Sequence, residues 1–141
     1  MDRPFVLTFA VHGKDFIDAG RASTEIKSVL TDLGLDPAII RRVAIASYEA
    51  EMNVVMYANE ATLTLELTPK NIIIVVDDQG PGIPNIELAM QEGFSTATPE
   101  MREMGFGAGM GLPNIKRNAD DFAIQSTVGK GTTVTIQISI N

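Results

Sequence analysis

A short segment that combines a carboxylate with glycines is the first part of this sequence suited to chemistry. An unbroken run of β-branched residues, 72–76, is typical of a buried strand, and it leads to Asp78, Gly80, Gly82 and Ile83. A carboxylate at the end of a buried strand can accept a hydrogen bond from the exocyclic amine of adenine, and glycine lets a ligand approach the backbone closely. The segment therefore predicts the base-binding side of a nucleotide pocket.

A second glycine-rich segment, residues 105–112, precedes a predicted helix. Free backbone N–H groups at a helix start, together with the helix dipole, favour phosphate binding. The Walker pattern does not fit, because Gly13-Lys14 and Gly129-Lys130 are not followed by Ser or Thr. A dinucleotide-binding fingerprint is disfavoured because the polar, proline-containing stretch 95–102 stands where its strand should be. The sequence thus predicts a phosphate cradle without a lysine loop.

Residues 37–58 are predicted to form a long helix, with Asp36-Pro37 as its start signal. Glu49 and Asn53 are four residues apart and therefore share a face of this helix. A carboxylate beside an amide oxygen suits magnesium binding and the positioning of a nucleophile. Glu51 lies on roughly the opposite side, and we expect it to be a surface charge.

Three blocks of the sequence, 49–53, 78–83 and 105–112, resemble the ATP-binding fold shared by gyrase B, Hsp90, histidine kinases and MutL. Within this superfamily the chain is most similar to the small bacterial serine/threonine kinases that act as anti-sigma factors or partner-switching regulators. The likeness extends over nearly the whole chain, and it includes residues 92–96 and 129–132. Block order, spacing and total length all agree with this family.

The resemblance implies a role for each matching residue. Asn53 corresponds to the magnesium-binding asparagine, Glu49 to the residue that orients or deprotonates the attacking hydroxyl, and Asp78 to the aspartate that recognises adenine. Thr132 corresponds to a threonine that supports the hydrogen bonds on the adenine side, and Arg102 is a candidate for the terminal phosphate. The implied ATP-binding set is Asn53, Asp78, Gly80, Gly82, Ile83, Gly105, Gly107, Ala108, Gly109, Met110, Gly111, Leu112 and Thr132.

The activity implied by this resemblance is ATP- and Mg²⁺-dependent phosphorylation of a small partner protein of the anti-anti-sigma, STAS-like kind. A sigma factor or another regulator is a further candidate partner, and a homodimer is the implied assembly. One alternative is a non-catalytic regulator whose ATP-bound lid selects between protein partners. Another is a detached histidine-kinase catalytic domain, which would need a histidine-bearing partner. The presence of Glu49 favours a catalytic protein over a non-catalytic regulator.

Composition narrows the class of protein further. The 141 residues suit one domain, 1–141, with a single core, and the net charge is −7. Without a larger basic cluster than Arg41-Arg42 or Lys116-Arg117, we expect no nucleic-acid partner. The sequence has no cysteine and no apolar stretch approaching the ~20 residues that cross a bilayer. We therefore expect a cytoplasmic protein without a membrane partner.

The pattern of apolar residues predicts helices early in the chain and strands late. Such an order favours a two-layer α/β sandwich, in which helices cover one face of a mixed, mainly antiparallel sheet. The resemblance implies the same architecture, the Bergerat-type ATP-binding fold. The predicted strands are 5–11, 61–67, 71–77, 121–126 and 132–140, and the predicted helices are 15–33, 37–58, 86–91 and 111–119.

Overall fold

The computed structural model describes residues 5–91 and 111–140. Its strands are β1 (Phe5–His12), β2 (Glu60–Leu67), β3 (Asn71–Gln79), β4 (Asp121–Thr127) and β5 (Gly131–Ser139). Its helices in these ranges are α1 (Arg21–Asp32), α2 (Pro37–Tyr57), α3 (Ile86–Ala89) and α4 (Gly111–Asn118). Apart from the start of α1, each of these boundaries lies within two residues of its predicted position.

The five strands form one sheet in the order β1-β2-β3-β5-β4. Each described pairing is antiparallel. Tight hairpins join β2 to β3 and β4 to β5, while the longer segment between β3 and β4 carries α3 and α4. The predicted two-layer α/β fold is confirmed, and among these strands the sheet is antiparallel throughout.

Burial alternates along the central strands and identifies the face that carries the core. In β3, the side chains of Ile72, Ile74 and Val76 are buried, whereas Ile73 and Val75 between them are only half-buried. The register places Ile74 between Leu65 of β2 and Ile136 of β5. A slip of one residue would turn this apolar row to the other face, so the core fixes the register.

Helix α2 is the long helix that packs against the inner face of the sheet and between α1 and α4. Asp36 caps its start by accepting a hydrogen bond from the Ala38 N–H at 2.9 Å, and Pro37 occupies the first turn. The helix ends where Ala58 adopts an extended conformation. Most of its last two turns are buried, so α2 is a fixed frame for the side chains that it carries.

Helix α1 starts later than predicted. The periodicity suggested a start at Asp15, but Gly20 has a left-handed φ of 93° and the helix begins at Arg21. The preceding loop runs past the end of α2, where the Lys14 N–H donates to the Val55 carbonyl at 2.7 Å. A loop held in this way cannot continue the helix. The predicted start of α1 at residue 15 was therefore wrong, because a contact with a distant segment decides where the helix begins.

None of the helices within residues 5–91 and 111–140 is both long and apolar enough to cross a membrane.

Candidate functional site

Asp78 lies at the end of β3, as predicted, and its carboxylate is held by the neighbouring strand. Its Oδ1 atom accepts a hydrogen bond from the Thr132 N–H at 3.0 Å. Burial raises the pKa of Asp78 above its usual value, and the charge of Asp77 adds to this effect, whereas the Thr132 hydrogen bond opposes it. Among the described residues Oδ2 accepts no hydrogen bond, which leaves it for a ligand donor.

Two hydroxyl groups support this end of the sheet. Thr132 is 7% exposed, and its Oγ1 lies 2.9 Å from Oγ of Ser126, its partner in the β4–β5 register. The Ser126 hydroxyl also accepts a hydrogen bond from the Ile83 N–H at 2.7 Å. The segment that follows Asp78 is thereby tied to the last hairpin. Thr132 was predicted from the sequence but Ser126 was not, although its cross-strand position opposite Thr132 was the available signal.

The glycines beside Asp78 allow segments of the chain to approach each other closely. A Cβ at Gly82, where φ is 77°, would lie 2.5 Å from the Thr127 carbonyl oxygen. A Cβ at Gly80 would lie 3.1 Å from Ala58 at the end of α2, and one at Gly131 would overlap the Asp78 carbonyl oxygen. Chain packing therefore accounts for these glycines, and a contact of Gly80 or Gly82 with a base stays a prediction.

Glu49 and Asn53 form a second cluster with the start of α4. Both are half-buried. The Asn114 Nδ2 donates a hydrogen bond to Glu49 Oε2 at 2.6 Å. One turn away, a Cβ at Gly111 would lie 3.1 Å from Asn53 Oδ1. The first turn of α4 thus touches both side chains, which were predicted to share a face.

Helix α2 links the two clusters. Ala58 directly follows the last residue of the helix and adjoins Gly80. Next to it, the Asn59 N–H donates to the Gln79 carbonyl at 2.8 Å. Five residues of helix separate Asn53 from Ala58 by about 7–8 Å along the axis. A nucleotide with its base at Asp78 and its phosphates at Asn53 would lie along this stretch of the helix.

Glu51 is not the surface charge that we expected. It is 2% exposed, and its carboxylate accepts hydrogen bonds from the N–H groups of Gly20, Ala22 and Ser23 at 3.1, 3.2 and 3.0 Å. These N–H groups belong to the start of α1, where Gly20 has no side chain to serve as a cap. The prediction that Glu51 faces away from Glu49 and Asn53 holds, but that side of α2 is covered by α1.

Several predicted site residues lie outside the described residues. They are Gly105, Gly107, Ala108, Gly109 and Met110 of the phosphate cradle, together with Arg102. The described structure begins again at Gly111 and Leu112, which open α4. Gly111 adjoins Asn53, so the chain emerges from the glycine segment directly at the predicted phosphate side of the site.

The oxygen ligands of the described residues suit a magnesium ion that is shared with a nucleotide. Within residues 5–91 and 111–140, no three His, Cys, Asp or Glu side chains converge as a metal site. Mg²⁺ is usually held by one or two protein oxygens together with substrate phosphates and water. The half-buried amide of Asn53, which lies on α2 next to the start of α4, fits that role.

A groove of about 410 Å³ reaches Glu49 from the side of α1. It is lined by Ser23, Thr24, Lys27, Ala44, Ile45, Tyr48 and Glu49. The side chain of Tyr48 is 43% exposed. Glu49 therefore lies between this groove and α4, and a molecule in the groove would approach it from a direction different from that of the glycine segment.

The chain belongs to the histidine kinase-, DNA gyrase B- and HSP90-like ATPase family, whose model matches residues 39–141. Two similar curated proteins are a serine/threonine-protein kinase and an anti-sigma factor. The chain is 34% identical over 112 residues to the serine/threonine-protein kinase RsbT of Bacillus subtilis, covering 77% of this chain and 78% of that protein. It is 36% identical over 107 residues to the anti-sigma F factor of Caldanaerobacter subterraneus subsp. tengcongensis, covering 71% of each.

A solved structure has the same fold. It is the crystal structure of the RsbU and RsbW domains of a Mycobacterium tuberculosis protein, with a TM-score of 0.60 and 17% sequence identity. The match covers 94% of this chain but only 32% of that one. The resemblance inferred from the three sequence blocks is thus confirmed at the level of family and fold.

Proposed function

We propose that this chain is an ATP-dependent serine/threonine protein kinase of the partner-switching type, which phosphorylates a small anti-anti-sigma, STAS-like protein. The observation that carries the proposal is the position of Glu49, which is half-buried, held by Asn114 and one turn from Asn53. A module that only binds ATP has no need of an oriented carboxylate there. The similarity to RsbT, which is named a serine/threonine-protein kinase, supports the same assignment.

Nucleotide binding follows from the two clusters. The Asp78 carboxylate, fixed by the Thr132 N–H, accepts a hydrogen bond from the adenine amine. The phosphates lie beside Asn53 and the start of α4, where the helix dipole favours negative charge. Asn53 would hold Mg²⁺, and the ion would supply positive charge to the phosphates during transfer. Gly105 to Leu112 complete the phosphate side of the pocket in this proposal.

Phosphoryl transfer requires an acceptor hydroxyl in line with the terminal phosphate. Glu49 orients the serine or threonine hydroxyl and takes up its proton as the bond from the hydroxyl oxygen to phosphorus forms. The bond from phosphorus to the bridging oxygen breaks, and ADP leaves with that electron pair. A positioned acid or base contributes ~10²–10⁴-fold to such a step.

The acceptor approaches through the groove between α1 and α2. Glu49 lines this groove, whose wall is mostly apolar and includes Ile45 and the Tyr48 ring. A serine-bearing segment of a folded partner can enter it while the nucleotide occupies the other side of Glu49. The similarity to an anti-sigma F factor supports a sigma factor as a second partner, and a homodimer and a cytoplasmic location belong to the proposal.

The test is phosphoryl transfer from labelled ATP to each small protein that is encoded beside this chain. Wild type should label one of them on serine or threonine, and Glu49→Gln should lower the rate ~10²–10⁴-fold while nucleotide binding survives. Glutamine keeps the helix and nearly the same volume, so the variant tests charge and basicity alone.

The outcomes separate this proposal from its rivals. Labelling of a histidine would support a detached histidine-kinase domain. Binding of a partner that depends on ATP, without any transfer by wild type, would support the ATP-gated regulator. Undiminished transfer by Glu49→Gln would remove Glu49 from the mechanism.

A further inference from the structure

Asn114 is the residue through which α4 contacts Glu49. Its Nδ2 atom donates to Glu49 Oε2 at 2.6 Å, and its Oδ1 atom accepts a hydrogen bond from the Arg117 guanidinium at 3.2 Å. Its backbone carbonyl accepts a third hydrogen bond, at 2.8 Å, from the Asn118 amide. Asn114 is thus held by its own helix and directs its amide group towards α2.

Chemistry fixes which way the amide of Asn114 points. A carboxylate accepts hydrogen bonds and a guanidinium only donates them. The orientation with nitrogen towards Glu49 and oxygen towards Arg117 is therefore the one that satisfies both neighbours. The reversed amide would place two acceptors together on one side and two donors together on the other.

The contact between Asn114 and Glu49 is one of two contacts that the first turn of α4 makes with the same face of α2. Residues 111 and 114 share a face of α4, and residues 49 and 53 share a face of α2. Gly111 adjoins Asn53 while Asn114 binds Glu49. The first turn of α4 therefore positions the metal-binding amide and the carboxylate together, and this turn directly follows the glycine segment.

We infer that Asn114 is a positioning residue for phosphoryl transfer, which holds the Glu49 carboxylate by one oxygen and presents the other to the acceptor hydroxyl. The inference rests on the proposed function. The charged groups around this contact are Lys27 of α1, which lines the same groove, and Arg117 of α4. The hydrogen bond from the Asn114 amide fixes the orientation of the Glu49 carboxylate.

A purely structural role for the same residue would be to join α4 to α2. The transfer kinetics separate the two roles, because a residue that only joins the helices would leave kcat unchanged at temperatures where the protein is folded. Asn114→Asp keeps the shape and, within α4, an acceptor for Arg117, but it offers no donor to Glu49 and places a second carboxylate beside it. Asn114→Ala removes both the donor to Glu49 and the acceptor for Arg117. Asn118→Ala is the matched control, because Asn118 lies on the same helix, bonds to the Asn114 backbone and is one turn beyond it.

The experiment measures kcat, the KM for the acceptor found in the transfer assay, and the Kd for Mg-ATP. Asn114→Ala and Asn114→Asp should lower kcat roughly 10- to 100-fold, the range found when an outer-shell support of a reactive site is removed. Asn114→Ala, which adds no charge, should leave the acceptor KM and the nucleotide Kd within about twofold. Asn118→Ala should resemble wild type in all three quantities.

The decisive comparison uses the Glu49→Gln background. If Asn114 acts through Glu49, adding Asn114→Ala to Glu49→Gln should lower kcat by less than about a further twofold, because the effects of coupled residues are not additive. An undiminished kcat in the single variants, a further full loss in the double variant, or a weakened nucleotide Kd in Asn114→Ala would overturn the inference. Absence of transfer by wild type would overturn the proposed function first, and this inference with it.

Discussion

Glu51 offers a quantitative test of how α1 is attached to the rest of the protein. In Glu51→Gln, the remaining oxygen can still accept from Gly20 and Ala22, while the new amide nitrogen faces the Ser23 N–H. One hydrogen bond to a charged group is lost, at about 1.5–3 kcal/mol, and two others become neutral and weaker. Removing a buried charge offsets part of this cost.

The net loss should be about 2 kcal/mol of unfolding free energy, or roughly 6 °C in melting temperature for a chain of this size. Thermal and urea unfolding, each monitored by circular dichroism, measure it. Glu49→Gln is the matched control, since it makes the same substitution two residues away on the same helix. It removes one acceptor from a half-buried contact and should cost no more than about 1 kcal/mol.

The two variants should show opposite patterns in the transfer assay. Glu51→Gln loses stability but keeps transfer at temperatures where it is folded, whereas Glu49→Gln keeps stability and loses transfer. A Glu51→Gln protein that melts within about 1 °C of wild type would refute the assignment of this carboxylate as the cap of α1.

The remaining predictions concern Asp78, nucleotide binding and magnesium. Because burial raises the pKa of Asp78, its contribution to stability is fully present below the ordinary value of 3.8 and is lost as pH rises through the raised value, so Asp78→Asn should flatten the pH dependence of unfolding free energy in that window. The same variant should weaken adenine-nucleotide binding in calorimetry, and unchanged affinity would exclude Asp78 from base recognition. Mg-ATP at about 100 times its Kd should add roughly 2.7 kcal/mol to the unfolding free energy. Asn53→Ala should abolish the part of this gain that EDTA removes, and a gain insensitive to EDTA in wild type would contradict magnesium binding.

How far the sequence predicts this structure depends on the range of the interactions that decide each feature. The strand ends and α2 were predictable because β-branched runs, the Asp36-Pro37 start and the turns are local signals. The pairing of Glu49 with Asn53 followed from helical spacing alone. Their family roles came with the resemblance, since spacing cannot distinguish a site from a solvated helix face.

The features that were missed depend on contacts between distant segments. Glu51 bonds to residues 28 to 31 positions away, and no local pattern indicates that α1 covers that side of α2. The late start of α1 has the same origin, because its first N–H groups are capped from α2. Asn114 was overlooked for a related reason: it bonds to a residue 65 positions away.

The two glutamates show how one helix can keep stability and chemistry apart. Positions 49 and 51 are about 200° apart around α2, so one carboxylate faces α4 and the groove while the other faces the buried start of α1. The buried Glu51 carboxylate accepts from three N–H donors on both of its oxygens, whereas Glu49 is engaged at one oxygen by the described residues. A carboxylate that is buried and engaged at both oxygens is out of reach of a substrate. Of the two, Glu49 is therefore the one that the fold leaves able to accept a proton from a partner hydroxyl.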